Sequence, residues 1–321
     1  MSDIEERTVH VNGVDLQVTS AGDPTGPCVI LSHGFPESSY SWRHQIPVLA
    51  AAGYHVLAPD QRGYAFSSAP RDVAAYGIGN LTGDLVALLD AYGHDDAIFV
   101  GHDWGAMVVW EAARLHPTRV RAVVGVSVPF TAWPARPTDI MKAMWTDRFF
   151  YILYFQQVGP AERELEADVR RTMHTILWGA SGEMYKGMPT EFPPMEGTGF
   201  LDMFKDVPAA LPRWLTQADL DHYVRQFENS GFFGPVSWYR NLDANYEVLK
   251  ELPASLVTMP AYFIGGEKDG VIAGRPEYVD GMNGLLPNYR GKTMIPGAGH
   301  WTQQEAPEEF NAALLGFLAT L

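Results

Sequence analysis

The 321-residue sequence predicts an α/β fold, a mostly parallel sheet flanked by helices and interrupted by a helical insertion. Three observations predict it. Short β-rich runs alternate with helical patterns through the first third, strand patterns vanish over roughly residues 131–252, and the β signal then resumes ahead of a last amphipathic helix.

The runs Cys28 to Ser32, His55 to Ala58 and Ala97 to Gly101 read as strands, separated by helical patterns around Trp42 to Ala52 and Leu81 to Tyr92. Strands joined through helices pair in parallel. The third strand runs through Gly101 into a helical segment, Ala106 to His116, which Pro117 helps to stop, and another strand follows at Val120 to Val128. From about Thr131 to Leu252, Trp, Met, Phe, Pro and Tyr accumulate, and the helical stretches Ala161 to Trp178 and Thr216 to Glu228 are joined by irregular sequence. This is an inserted helical cap, and its Pro- and Gly-rich part from Lys186 to Pro212 reads as a long lid or binding loop. Strands return at Ala261 to Gly265 and Lys292 to Ile295, and a helix from Pro307 to Leu321 closes the chain. The expected domains are a core of residues 1–130 and 253–321 and a cap of residues 131–252.

Composition narrows the partners. A 46% hydrophobic and 19% charged chain buries a sizeable core, and a formal net charge of -15 repels phosphate backbones and anionic lipid surfaces. Nucleic acid and membrane are therefore excluded, and a neutral small molecule is expected. The only cysteine, Cys28, lies in the apolar run Pro27 to Leu31 and reads as a core residue, so no intramolecular disulfide forms. The stretch Met1 to Arg7 is acidic and polar where a signal peptide is basic and then apolar, and no apolar run is long enough to span a bilayer. The expected location is cytoplasmic. Neither a GxxxxGK phosphate loop nor paired cysteines for zinc occur.

The chemistry centres on Gly101-His102-Asp103-Trp104-Gly105, a G-x-Nu-x-G turn between strand and helix that pushes its central side chain out over the sheet. With aspartate at the centre, the nucleophile is already ionised near neutral pH and needs no base. A carboxylate suits displacement at saturated carbon, opening an epoxide or expelling halide, and leaves an ester that a second step must hydrolyse. That step needs a base, and His300 in the small-residue loop Pro296 to Trp301 supplies it, neutral at working pH if its pKa stays near 6.5. Asp269, in the turn after the strand Tyr262 to Gly265, fits the acid that orients His300, with Glu267 as the competitor. Nucleophile, acid, histidine is the chain order of the α/β-hydrolase fold, whose sheet has eight mostly parallel strands. In that fold the N–H of Phe35, in Ser32 to Glu37, and the N–H of Trp104 form the oxyanion hole. Asp103 alone would read as a helix cap, and His102, His116 and His174 read as packing or surface residues.

Together His33-Gly34-Phe35-Pro36, Gly101-His102-Asp103-Trp104-Gly105 and Gly299-His300-Trp301 resemble the soluble epoxide hydrolase family over nearly the whole chain. Tyr151 to Gln156 and Gly234 to Asn241 are similar to the family stretches carrying its two cap tyrosines, which implies Tyr151 and Tyr239, with Tyr154 as the alternative to Tyr151. Two phenols can bind the epoxide oxygen and supply its proton as the ring opens. The resemblance also implies an epoxide substrate, no metal or organic cofactor, and a cap-mediated homodimer. Glu37 either holds the hydrolytic water or is structural. The competing functions are a haloalkane or haloacetate dehalogenase and a hydrolase-fold ligand-binding protein that has lost turnover. One departure is Ala65-Phe66, where relatives carry a glycine and a polar residue; it bears on local packing and one pocket wall.

Overall fold

A computed structural model describes residues 4–187 and 191–321. Eight strands, β1 (Glu5–Val11), β2 (Val14–Ala21), β3 (Cys28–Ser32), β4 (His55–Pro59), β5 (Ala97–His102), β6 (Val120–Val126), β7 (Ala261–Gly266) and β8 (Tyr289–Ile295), form one sheet. Its order is β1-β2-β4-β3-β5-β6-β7-β8. All pairs from β4 to β8 are parallel, whereas β1 and β2 pair antiparallel with each other and β2 with β4.

The hairpin β1–β2 is absent from the strands read above. Its signal was present as alternation, Val9, Val11, Val14, Leu16 and Val18, around an Asn12-Gly13 turn in which both residues have positive φ. Only β2 buries its alternate residues while β1 is almost wholly exposed, as an edge strand is.

In the sheet's centre every residue of β3, β4 and β5 is buried, because helices cover both faces. Alternation then sorts side chains between two cores. Ile30, Phe99, Val123 and Phe263 face one layer, continuous with the inserted segment, while Val29, Leu31, Ile98, Val100, Val124 and Ile264 face the layer closed by the helices Ile46–Ala51 and Pro307–Leu318.

Between β6 and β7 the described chain is helical, with one isolated bridge, Arg148 to Pro194. The stretch expected as a helix from Ala161 to Trp178 is two helices, Pro160–Glu166 and Val169–Gly179, since Asp168 turns its carboxylate onto the Arg171 N–H and starts the second. In the lid stretch the described residues contain one short 3-10 turn, Leu201–Met203, and the rest of that expectation at 188–190 lies outside the described residues. No helix among the described residues is long and apolar enough to cross a membrane.

Ala65 adopts φ 48, the left-handed region where glycine is free of strain, so a glycine there in relatives has a conformational reason. Phe66 is exposed to solvent, and the Ala65 carbonyl accepts from Asn229 Nδ2 at 2.8 Å.

Candidate active site

The parallel strands deliver the expected residues to one end of the sheet. Phe35 follows β3, Asp103 follows β5, Asp269 follows β7 and His300 follows β8, all beyond the carboxyl ends where α/β sheets bind ligands. Asp103 sits at φ 53 and ψ -119, a strained conformation for a non-glycine that costs on the order of 1–3 kcal/mol. It precedes the helix Trp104–Leu115 but makes no capping bond, so the capping reading of Asp103 does not hold. The turn is tight enough that a Cβ at Gly105 would overlap the Ser32 carbonyl, and a Cβ at Gly34 would overlap the Asp103 side chain. Gly105→Ala is therefore expected to destabilise by about 1–3 kcal/mol, read as a lower urea midpoint.

The Asp103 carboxylate is divided between two partners. Oδ1 accepts the Phe35 N–H at 2.8 Å, and Oδ2 lies 3.5 Å from His300 Nε2. On its far side His300 Nδ1 is 3.1 Å from both oxygens of Asp269, which is fully buried and also accepts the Val271 N–H. Glu267, the competing acid, is exposed. Trp104 opens its helix, so its N–H has no intrahelical acceptor, and its indole meets Tyr239 edge-on at 5.0 Å.

Electrostatics join these groups. Burial disfavours a charged His300, but the carboxylates of Asp269 and Asp103 more than offset it and hold its pKa well above the ordinary value. The two flanking carboxylates thus favour the charged imidazole relative to a free histidine. Burial likewise opposes ionisation of Asp103, yet His300 and, more weakly, His102 and the Phe35 N–H keep its carboxyl below the usual value.

Tyr151 begins the short helix Tyr151–Tyr154 and Tyr239 lies in the helix Phe233–Arg240; their rings pack 5.8 Å apart. Burial, reinforced by the Asp103 carboxylate, raises both phenols, so they remain O–H donors. Tyr154 faces elsewhere: it lines a surface hollow with Glu164, Arg171 and Asp202, and after burial it is Glu164 that raises its phenol. Phe35, Phe155, Phe200 and Trp104 pack against the two tyrosines and make the surroundings apolar.

His102, read above as packing, bridges instead. Its Nδ1 is 2.6 Å from Glu37 Oε2 and its Nε2 is 2.7 Å from the His300 carbonyl, all fully buried but for His300's small exposure. A carbonyl only accepts, so Nε2 carries a proton, and a second proton lies between Nδ1 and Glu37. The other Glu37 oxygen accepts from Gln303 and Gln304, so protein donors engage both of its oxygens. Nothing in the spacing of Glu37, His102 and Gln304 along the chain announces this cluster. His116 and His174 lie away from it; His116 approaches Thr82 on the helix Ile78–Tyr92.

A family model described as alpha/beta hydrolase fold matches residues 27–162. The chain is 48% identical to Epoxide hydrolase A of Mycobacterium tuberculosis over 98% of each chain, and 43% identical to Epoxide hydrolase B of that organism over 94% of each. It superposes on the crystal structure of Epoxide Hydrolase A from Mycobacterium thermoresistibile with a TM-score of 0.91 at 47% identity, covering 99% of this chain and 98% of that one. With identity of this order running the full length of the chain and the same fold beneath it, the chain belongs to the epoxide hydrolase family of the α/β-hydrolase fold.

Proposed function

We propose that the protein hydrolyses small-molecule epoxides to vicinal diols through an ester on Asp103. The observation that carries this is the Asp103 carboxylate, held between a backbone N–H and His300 and sensed by two buried phenols. Oδ2 attacks a ring carbon as the carbon–oxygen bond breaks, and Tyr151 or Tyr239 delivers a proton to the leaving oxygen. Oδ1, bound by Phe35, becomes the ester carbonyl oxygen. Water then loses a proton to His300 Nε2 and adds to Cγ. The resulting oxyanion on Oδ1 is stabilised by the Phe35 and Trp104 N–H groups; collapse breaks the Cγ–Oδ2 bond, the departing alkoxide takes the proton held by His300 to complete the diol, and the proton left on the Asp103 carboxyl returns to the phenolate.

Esterification also times the base. It abolishes the Asp103 charge, one of the influences raising His300, so the imidazole's pKa falls once the ester exists. Asp269 continues to orient the ring through Nδ1. The full burial of Glu37 and its engagement with His102, Gln303 and Gln304 support a structural role for it over direct capture of water.

The test is a single turnover of excess protein with styrene oxide in ¹⁸O-water. Unlabelled oxygen in the first diol, with the label left on Asp103 after that turnover, supports the ester; label directly in the first diol refutes it. Tyr239→Phe and Tyr151→Phe are each expected to slow ester formation from epoxide by about 10²-fold, measured by tryptophan fluorescence in stopped flow. If either variant instead left epoxide opening intact, or the protein released halide from haloalkanes in preference, a dehalogenase would be the better reading.

The same reading divides the chain into a core of residues 1–130 and 253–321 and a cap of residues 131–252, supported by the parallel pairing of β6 with β7 across the helical insertion. Exposed Met144, Val158 and Val248 in the insertion support a cap-mediated homodimer, which sedimentation velocity would detect. A cytoplasmic location is part of the proposal, supported by the single, buried, unpaired Cys28.

A further inference from the structure

A chain of buried polar contacts runs from the inserted segment to the backbone of His300. The helix Gln217–Ser230 presents Tyr223 and Asp219 toward the start of the chain's first 3-10 turn, Ser39–Trp42. Asp219 accepts from the Tyr40 hydroxyl at 2.7 Å and pairs with Arg43 Nε at 3.2 Å. Arg43 and the Tyr223 hydroxyl both donate to one atom, Gln304 Oε1, at 2.5 and 3.1 Å. Gln304 Nε2 donates to Glu37 Oε1 at 2.7 Å, Glu37 Oε2 meets His102, and His102 meets the His300 carbonyl.

Gln304 is 1% exposed, and its amide orientation is dictated by its neighbours: Oε1 faces two donors, Nε2 faces a carboxylate. Gln303 also donates to Glu37, but its side-chain carbonyl meets no donor from the helix Gln217–Ser230. Of the two glutamines, Gln304 is the one that joins the helix Gln217–Ser230 to Glu37.

We propose that Gln304 is a positioning residue through which the seating of the helix Gln217–Ser230 over the core sets the placement of His300 for ester hydrolysis. The proposal rests on His300 being the base of the second step. An unseated helix withdraws Tyr223 and loosens Arg43, Gln304 loses its acceptor contacts, and Glu37 loses a donor. His102 then holds the His300 carbonyl less firmly, with Ser127 Oγ at 3.1 Å on the same carbonyl and the Ala180 carbonyl at 2.9 Å on the His300 N–H as the other backbone anchors. The seat of the nucleophile is untouched, because Asp103 is held by Phe35 and its own turn. The two chemical steps are thus expected to respond differently. The groups facing the His300 ring, Asp103, Asp269 and the His102 ring at 4.8 Å, all shift with its placement, so the pH profile of the second step shifts with them.

Stopped-flow fluorescence with styrene oxide separates formation of the ester from its hydrolysis. Gln304→Leu is expected to slow hydrolysis by about 10- to 100-fold and to displace its pH profile, with ester formation within about twofold of wild type. Gln304→Glu keeps the acceptor for Arg43 and Tyr223 but sets a second carboxylate against Glu37, and it is expected to behave like Gln304→Leu. Tyr223→Phe, which removes one hydroxyl and is the gentler change should Gln304→Leu fail to fold, is expected to slow hydrolysis by a smaller factor in the same step. Unchanged hydrolysis in folded Gln304→Leu or, failing that, in Tyr223→Phe overturns the inference, as does equal slowing of both steps. His300→Gln is the control for the underlying reading: if it accumulates ester while Gln304→Leu behaves as wild type, only the inference about Gln304 fails.

Discussion

Asp103→Asn is expected to reduce turnover of any epoxide by at least about 10⁴-fold, since removal of a nucleophile acting within a unit eliminates the chemistry and leaves only binding. The substitution is nearly isosteric, so Phe35 still has an oxygen to donate to and the turn keeps its shape. What disappears is the negative charge. The same variant therefore reports on electrostatics: with one of its two carboxylates gone, His300 is expected to titrate at lower pH than in the wild type, seen in the imidazole proton resonances. The sign matters for stability too. A histidine whose folded pKa is raised contributes stability that is fully present below its unfolded value, near 6.5, and is lost as pH rises through the folded value. Asp103→Asn should flatten that alkaline decline in a series of unfolding curves. Undiminished turnover would remove Asp103 from the chemistry, and an unmoved His300 titration would break the link between the ester and the timing of the base.

His300→Gln is expected to stop turnover after one event, trapping substrate on Asp103. Ester formation needs the carboxylate and the phenols, none of which His300 supplies, whereas hydrolysis needs a proton acceptor that glutamine cannot be. Mass spectrometry of the intact chain after mixing with styrene oxide should show one added substrate mass, on the peptide carrying Asp103, with steady-state turnover down by about 10⁴-fold or more. In the wild type the complementary signature is in pH. Asp103 is held below the usual carboxylate range, so ester formation should stay flat across neutral pH, while hydrolysis should rise as pH climbs through the His300 value of the ester state and the base becomes neutral. An absence of trapped adduct with turnover still lost would mean that His300 acts before the ester forms.

Much of the site was legible in the order of residues. The elbow around Asp103, the proposed acid Asp269 and the proposed base His300 each follow a strand, and the chain order of three such points is local information that a linear reading retains. Short continuous apolar runs likewise announced the central strands, because a parallel strand covered on both faces is apolar nearly throughout. The edge hairpin β1–β2 escaped for the converse reason: an exposed strand holds few apolar residues, and its polar N-terminus resembles a loop.

What residue order determined by itself was the set of candidate reacting groups, Asp103, Asp269 and His300, and their attachment to a parallel sheet, since each is marked by residue type and local turn. What only the tertiary structure decided was protonation and choice among neighbours. Tyr151 rather than Tyr154 senses Asp103 because of how one short helix is rotated. His300 has a raised pKa because two carboxylates from separate loops converge on it. Glu37, His102 and Gln304 join into one buried network although long stretches of chain separate them. Each of these depends on distances of a few ångströms between groups remote in sequence, and Coulomb and hydrogen-bond energies change steeply over that range.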